Sequence, residues 1–161
     1  MTTSLDLVSV TSADLLVSLL APRGWEPMAA GEDTFGVFGD PEDGGYRPNI
    51  TFLAGEPEQP GVAWFRDLTR DAPGQLEATL TDFEEISTDE FRLSSRAGVF
   101  EICYRQHEPG APATSHLQAY VWVDSYRMYL VNAATLRAHE SRDLPIFDAV
   151  LRSLRVLPER R

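Results

Sequence analysis

Lysine is absent from this chain. All fourteen basic side chains are arginines, set against 25 acidic ones for a formal charge of −11 over 161 residues. With no basic stripe to neutralise phosphates, the composition argues against nucleic acid as a partner. Cysteine occurs once, at Cys103, which excludes an internal disulfide and any multi-cysteine metal knuckle. No run of about 18 apolar residues exists, so no segment reads as a transmembrane helix. The first ten residues carry no basic n-region, and no lipobox cysteine follows them, so the cytoplasm is the expected location.

Catalytic signatures are missing too. No serine sits in a Gly-x-Ser-x-Gly elbow, and neither a P-loop nor a Gly-x-Gly-x-x-Gly turn occurs. His107, His116 and His139 lack the i+2 strand or i+4 helix spacing that converges metal ligands, and read as surface histidines. The acidic groups Asp82, Glu84, Glu85 and Asp40, Glu42, Asp43 do not follow the alternating oxygens of a Ca²⁺ loop. The expectation is therefore a protein that is not an enzyme, with no catalytic residue, no cofactor and no metal site.

What the chain does have is a β-rich centre. Residues 99–105, 117–123 and 128–134 are full of aromatic and β-branched side chains and read as three consecutive strands. Taking Asp124 to Arg127 as a two- or four-residue connection, the last two strands form a hairpin. Trp122 then faces Tyr129, Val121 faces Leu130, Ala119 faces Asn132 and Tyr120 faces Val131. Both faces of such a sheet are apolar and both need a cover.

The covers are legible in part. Thr11-Ser12-Ala13-Asp14 followed by Leu15, Leu16, Leu19 and Leu20 predicts a helix ended by Pro22 and Gly24. Val62, Phe65, Leu68, Ala72, Leu76 and Leu80 form a second helical stripe, split or kinked at Pro73-Gly74, with Trp64 off the stripe. A third helix is expected over 144–157, presenting Phe147, Val150, Leu151 and Leu154 and stopped by Pro158. Residues 35–39 and 46–54 read as strands, as do the shorter 83–87 and 91–95. Residues 106–115 read as a mobile loop. Nothing marks a linker, so 1–161 is expected to be one domain.

Phe100, Ile102 and Tyr104 share a face of their strand. In the expected register Tyr120, Trp122 and Tyr129 share a face of the hairpin. If the two coincide, Tyr104, Tyr120, Trp122 and Tyr129 make an aromatic surface suited to a partner.

Three stretches resemble the PsbP-like fold shared with the Ran-binding import factor Mog: Leu20-Ala21-Pro22-Arg23-Gly24-Trp25, Arg96-Ala97-Gly98 and Ser153-Leu154-Arg155-Val156. Arg47-Pro48-Asn49-Ile50 followed by a helix is similar to the actinobacterial LpqN family, with the DcrB and EagR families more distant. The resemblance spans about residues 20 to 157. It implies an α+β sandwich, an antiparallel sheet with helices packed on both faces, and a non-enzymatic adaptor or chaperone-like role toward another protein. A homodimer is compatible with this. The alternatives are a carrier of an apolar small molecule and a hydrolase whose site assembles only in the fold.

Overall fold

The computed structural model describes residues 5–29, 31, 33–56, 62–123 and 127–158, with only the backbone at 62–64. Strands β1 (Leu7–Ser12) and β2 (Val17–Pro22) pair antiparallel and are joined by the short β10 (Arg155–Val156) in a three-stranded sheet. A seven-stranded antiparallel sheet follows, in the order β3 (Glu26–Ala29), β4 (Thr34–Phe38), β5 (Asn49–Gly55), β9 (Arg127–Leu136), β8 (Thr114–Val123), β7 (Ala97–Gln106), β6 (Glu84–Ser94). Two helices, α1 (Val62–Thr79) and α2 (Glu140–Arg152), complete the chain as described.

Each face of the large sheet has its own core. On one face Phe147, Val150 and Leu151 of α2, with Val17 and Leu19 of β2, pack on Ile50, Phe52, Val99, Leu117, Val121 and Val131. On the other, Phe65 of α1 packs with Phe100, Ile102 and Tyr104, and Leu76, Tyr120 and Trp122 lie at the margin. β8 is the hinge of this division. Its residues alternate strictly between buried and half-buried, because successive side chains of a strand point to opposite faces. The expected α+β sandwich is present.

Several expectations need correction. No helix covers residues 11–20; they form the turn and strands of the β1–β2 hairpin. Leucines at 15, 16, 19 and 20 fit a helix, but Leu15, Val17, Leu19 and Ala21 also alternate, and these are the four that are buried. The capping signature serves the turn instead: the backbone N–H of Leu15 donates to Ser12 Oγ at 3.3 Å, and Leu16 takes a φ of 56°.

The β8–β9 register differs by one residue from the one expected. Trp122 pairs with Met128, Val121 with Tyr129, Tyr120 with Leu130 and Val123 with Arg127. Three residues, 124–126, therefore separate the strands, and the Asp124-Ser125-Tyr126 part of the expected connection lies outside the described residues. The physical reason lies mid-strand. This register sets Gln118 opposite Asn132, so the polar pair falls on the half-open face. The expected register would have driven Asn132 in among Val121 and Val123.

The remaining differences concern boundaries. Residues 84–94 form one irregular edge strand, with register shifts at Glu85/Ser87 and Arg92/Ser94, instead of two strands. α1 runs through Pro73 as one helix; the side chain of Trp64 lies outside the described residues. α2 begins four residues before the expected start and ends at Arg152, after which the chain turns into β10. All four residues of its predicted stripe are buried. The loop after β7 is closed on itself and on its neighbour: His107 N–H donates to Thr81 O at 3.2 Å and Ala111 N–H to Glu108 O at 3.1 Å.

Candidate functional site

The register decides which aromatics stand together. Phe100 of β7 pairs with Tyr120 of β8, and Gly98 with Trp122, so Tyr104, Tyr120 and Trp122 share the α1 face. Tyr129 pairs with Val121 and points the other way, 1% exposed, its hydroxyl donating to Leu15 O at 2.5 Å. Three of the four predicted residues are thus brought together and the fourth is a core residue beneath the β1–β2 turn.

Those three are covered unequally. Tyr104 is buried, tilted against Phe83 at 5.3 Å between centroids and stacked on the His116 imidazole at 5.0 Å. Burial pushes its hydroxyl up to about 12 and pulls His116 down to about 4, because a buried site disfavours the charged form of each. His116 is therefore a neutral ring at neutral pH. Tyr120 is half-buried and accepts a hydrogen bond from Gln118 Nε2 at 2.7 Å. This end of the aromatic row is packed and satisfied.

The Trp122 end is open. Beside it lies a hollow of about 280 Å³ whose lining includes Phe65, Thr69, Glu90, Arg92, Gly98 and Trp122. Gly98 forms part of its floor, and a Cβ placed there would meet nothing within 4 Å. A glycine inside a strand weakens it and often marks a place where something else approaches closely. Trp122 Nε1 is buried and has no hydrogen-bond partner among the described residues, whereas buried indole N–H groups usually find one. A hollow with aromatic walls and a charged rim of Arg66, Glu90 and Arg92 can seat a partner's side chain.

Ionisable clusters lie on the α2 face. Glu101 of β7 is 7% exposed, with Oε2 unpaired among the described residues. Burial first, then the neighbouring Asp148 carboxylate, raises its pKa to about 8. Arg152 bonds both Asp89, at 2.7 Å, and Asp148, at 3.0 Å. Glu140, bonded by Arg105 Nη2 at 2.6 Å and by Ser115, is held down at about 2. Cys103 lies in the same core, its thiol pushed up to about 11 by burial. None of these groups lines the hollow beside Trp122. Among the described residues no set of three His, Cys, Asp or Glu side chains is placed to hold a metal, and no helix is long and apolar enough to cross a membrane.

No family model matches the chain, and no curated protein matches it in sequence. Solved structures do match in shape. LpqN of Mycobacterium tuberculosis, involved in cell envelope biogenesis, superposes with a TM-score of 0.70 at 14% identity, over 97% of this chain and 93% of its own. The PsbP protein of the cyanobacterium Synechocystis superposes at 0.65 and 14% identity, over 96% and 95%. The chain has a PsbP/Mog1-like fold. Mog1p, the Ran-binding protein of Saccharomyces cerevisiae, superposes at 0.60 with 10% identity, over 96% and 97%. The fold-level resemblance read from the sequence is thereby borne out, with LpqN among the matches. Identities this low show the PsbP/Mog1-like architecture alone.

Sequence reasoning missed two parts of the site. Gly98 stood inside a quoted motif, yet its role as floor of a hollow depends on where α1 lies across the sheet. Phe65 was legible only as part of a helical stripe, and Thr69 lies outside that stripe and was not singled out.

Proposed function

We propose that this protein is a non-catalytic binding domain that docks another protein on the α1 face, with one anchoring side chain seated over Gly98 beside Trp122. The observation that carries this reading is the hollow itself: an aromatic wall and a floor lacking a side chain. A partner segment with a large apolar side chain would fill the space beside the Trp122 ring. Interfaces are commonly anchored in this way, by aromatic groups at a well-packed centre. Tyr120 extends the surface and Tyr104 supports it from beneath.

Two further considerations favour binding over catalysis. The most perturbed carboxyl, Glu101, faces the α2 core, and Cys103 is buried in that core with its thiol shifted away from the reactive thiolate. The Ran-binding Mog1p also shares the architecture. The cytoplasm, a bacterial and actinobacterial source, and a second copy of the chain as one form of partner belong to the same proposal.

Gly98→Val tests it. The backbone there is not left-handed and a Cβ would meet nothing within 4 Å, so the unfolding midpoint should stay within about 1 kcal/mol of wild type. Partners recovered from native lysate by the wild-type protein should be lost. Recovery of the same proteins at the same yield by the folded variant would refute the docking site.

A further inference from the structure

On the opposite side of the sheet, where the chain leaves α2 and turns into β10 over the end of the β6–β7 hairpin, a second hollow opens. It encloses about 400 Å³, and Leu93, Ala97, Val123, Leu154, Val156 and Leu157 form most of its wall. Ala97, Val123 and Leu154 are buried, so the floor is continuous with the main core. A space of this size lies within the usual range for small ligands. Its polar groups are Ser94 and the guanidiniums of Arg96, Arg127 and Arg155, which suit an anionic group, and the rest of the lining is aliphatic.

The mouth is different. Arg96 and Arg155 both line the hollow and both are exposed. Neither side chain has an ion-pair partner among the described residues. Arg23, Arg47, Arg70, Arg105, Arg137, Arg142 and Arg152 are each tied to a carboxylate, and of the described arginines left without one, Arg96 and Arg155 are the pair that shares this hollow. Arg127 stands in the same wall and donates from Nη2 to Leu157 O at 3.1 Å, which fixes the C-terminal segment as one side of the opening. An aliphatic interior with guanidinium groups at its mouth is complementary to an aliphatic body with a single anionic head.

We propose that this hollow binds a medium-chain fatty acid as its carboxylate. The tail lies against Leu93, Val123 and Leu154, and the carboxylate is bonded between Arg96 and Arg155. Guanidinium and carboxylate match in geometry as well as charge, and the tail supplies the apolar area that removal from water rewards. The site lies across the sheet from Trp122 and does not depend on protein docking there.

Decanoate carrying a ¹³C-labelled carboxyl, titrated below its micellar concentration and followed by NMR, is the test. One saturable site is expected, with a carboxyl shift distinct from free decanoate. The double variant Arg96→Glu/Arg155→Glu should bind at least tenfold more weakly with its unfolding midpoint unchanged. Arg70→Glu, an exposed charge on α1, should bind as wild type does. Decanol and decyltrimethylammonium, followed by their effect on the protein's own methyl resonances, should bind at least tenfold more weakly than decanoate. Absence of saturable decanoate binding would overturn the proposal. So would equal binding of decanol, or a double variant that binds decanoate as tightly as wild type.

Discussion

At the scale of single residues, glycine and glutamate carry the informative departures. Gly98 is a strand residue without a side chain where there is room for one, and Nε1 of Trp122 next to it is buried with no partner among the described residues. Trp122→Phe keeps an aromatic side chain but shrinks it. It should lower stability modestly, by about 1–2 kcal/mol, because the indole packs on the α1-face core, while weakening partner binding by removing the indole wall of the hollow. Equal affinity of the two folded proteins by calorimetry would remove the indole from the account.

Glu101 makes a prediction of its own. Burial and Asp148 raise its native pKa from 4.5 to about 8, so between those values the native state holds a proton that the unfolded chain has released. Stability therefore falls as pH rises through that window. Glu140 acts in the opposite sense: Arg105 lowers it from 4.5 to about 2, a contribution present above 4.5 and lost as pH falls toward 2. Arg152, Asp89 and Asp148 surround Glu101 and enter its titration. In Glu101→Gln the decline from pH 5 to pH 8.5 should be shallower, with a higher midpoint than wild type at pH 8.5. Parallel melting curves for the two proteins would contradict this.

At the scale of elements, α2 is the cover that the main core cannot lose. Phe147, Val150 and Leu151 are each at most 1% exposed. Truncating Phe147 to alanine should cost about 3–5 kcal/mol, a large part of the roughly 5–15 kcal/mol that holds a domain together. Denaturant unfolding that shows less than 1 kcal/mol would mean that the α2 face can collapse around the gap.

The elements also show what a sequence can and cannot reveal. β7, β8 and β9 were legible because aromatic and β-branched residues crowd them, and the α2 stripe because its four apolar positions recur at helical spacing. The β1–β2 hairpin was missed because its leucines satisfy two periods at once, and the choice between them was made by what lay opposite. The hairpin register slipped because the parity of the connection at 124–126 is not written in its residues. Gln118 and Asn132, read as a cross-strand polar pair, held the correct answer. That slip moved Tyr129 from the expected aromatic surface to the core, while Tyr104, Tyr120 and Trp122 share the α1 face, Tyr104 buried within it.

At the scale of the whole molecule, the large sheet is covered on both sides, and each side leaves a hollow. The α2 side is closed by a helix and the small sheet, with an aliphatic hollow left at its end. The α1 side is closed over Tyr104 and open over Gly98. The central claim is that this opening is where a protein partner docks. A photo-crosslinking amino acid placed at Arg92, on the rim of the hollow beside Trp122, tests it most directly, with the same group at Arg23 as the comparison. Irradiation in native lysate should yield a discrete crosslinked species from position 92, absent from position 23 and abolished when Gly98→Val is added. Equal crosslinking from both positions, or a species at position 92 that survives Gly98→Val in a folded protein, would contradict the account.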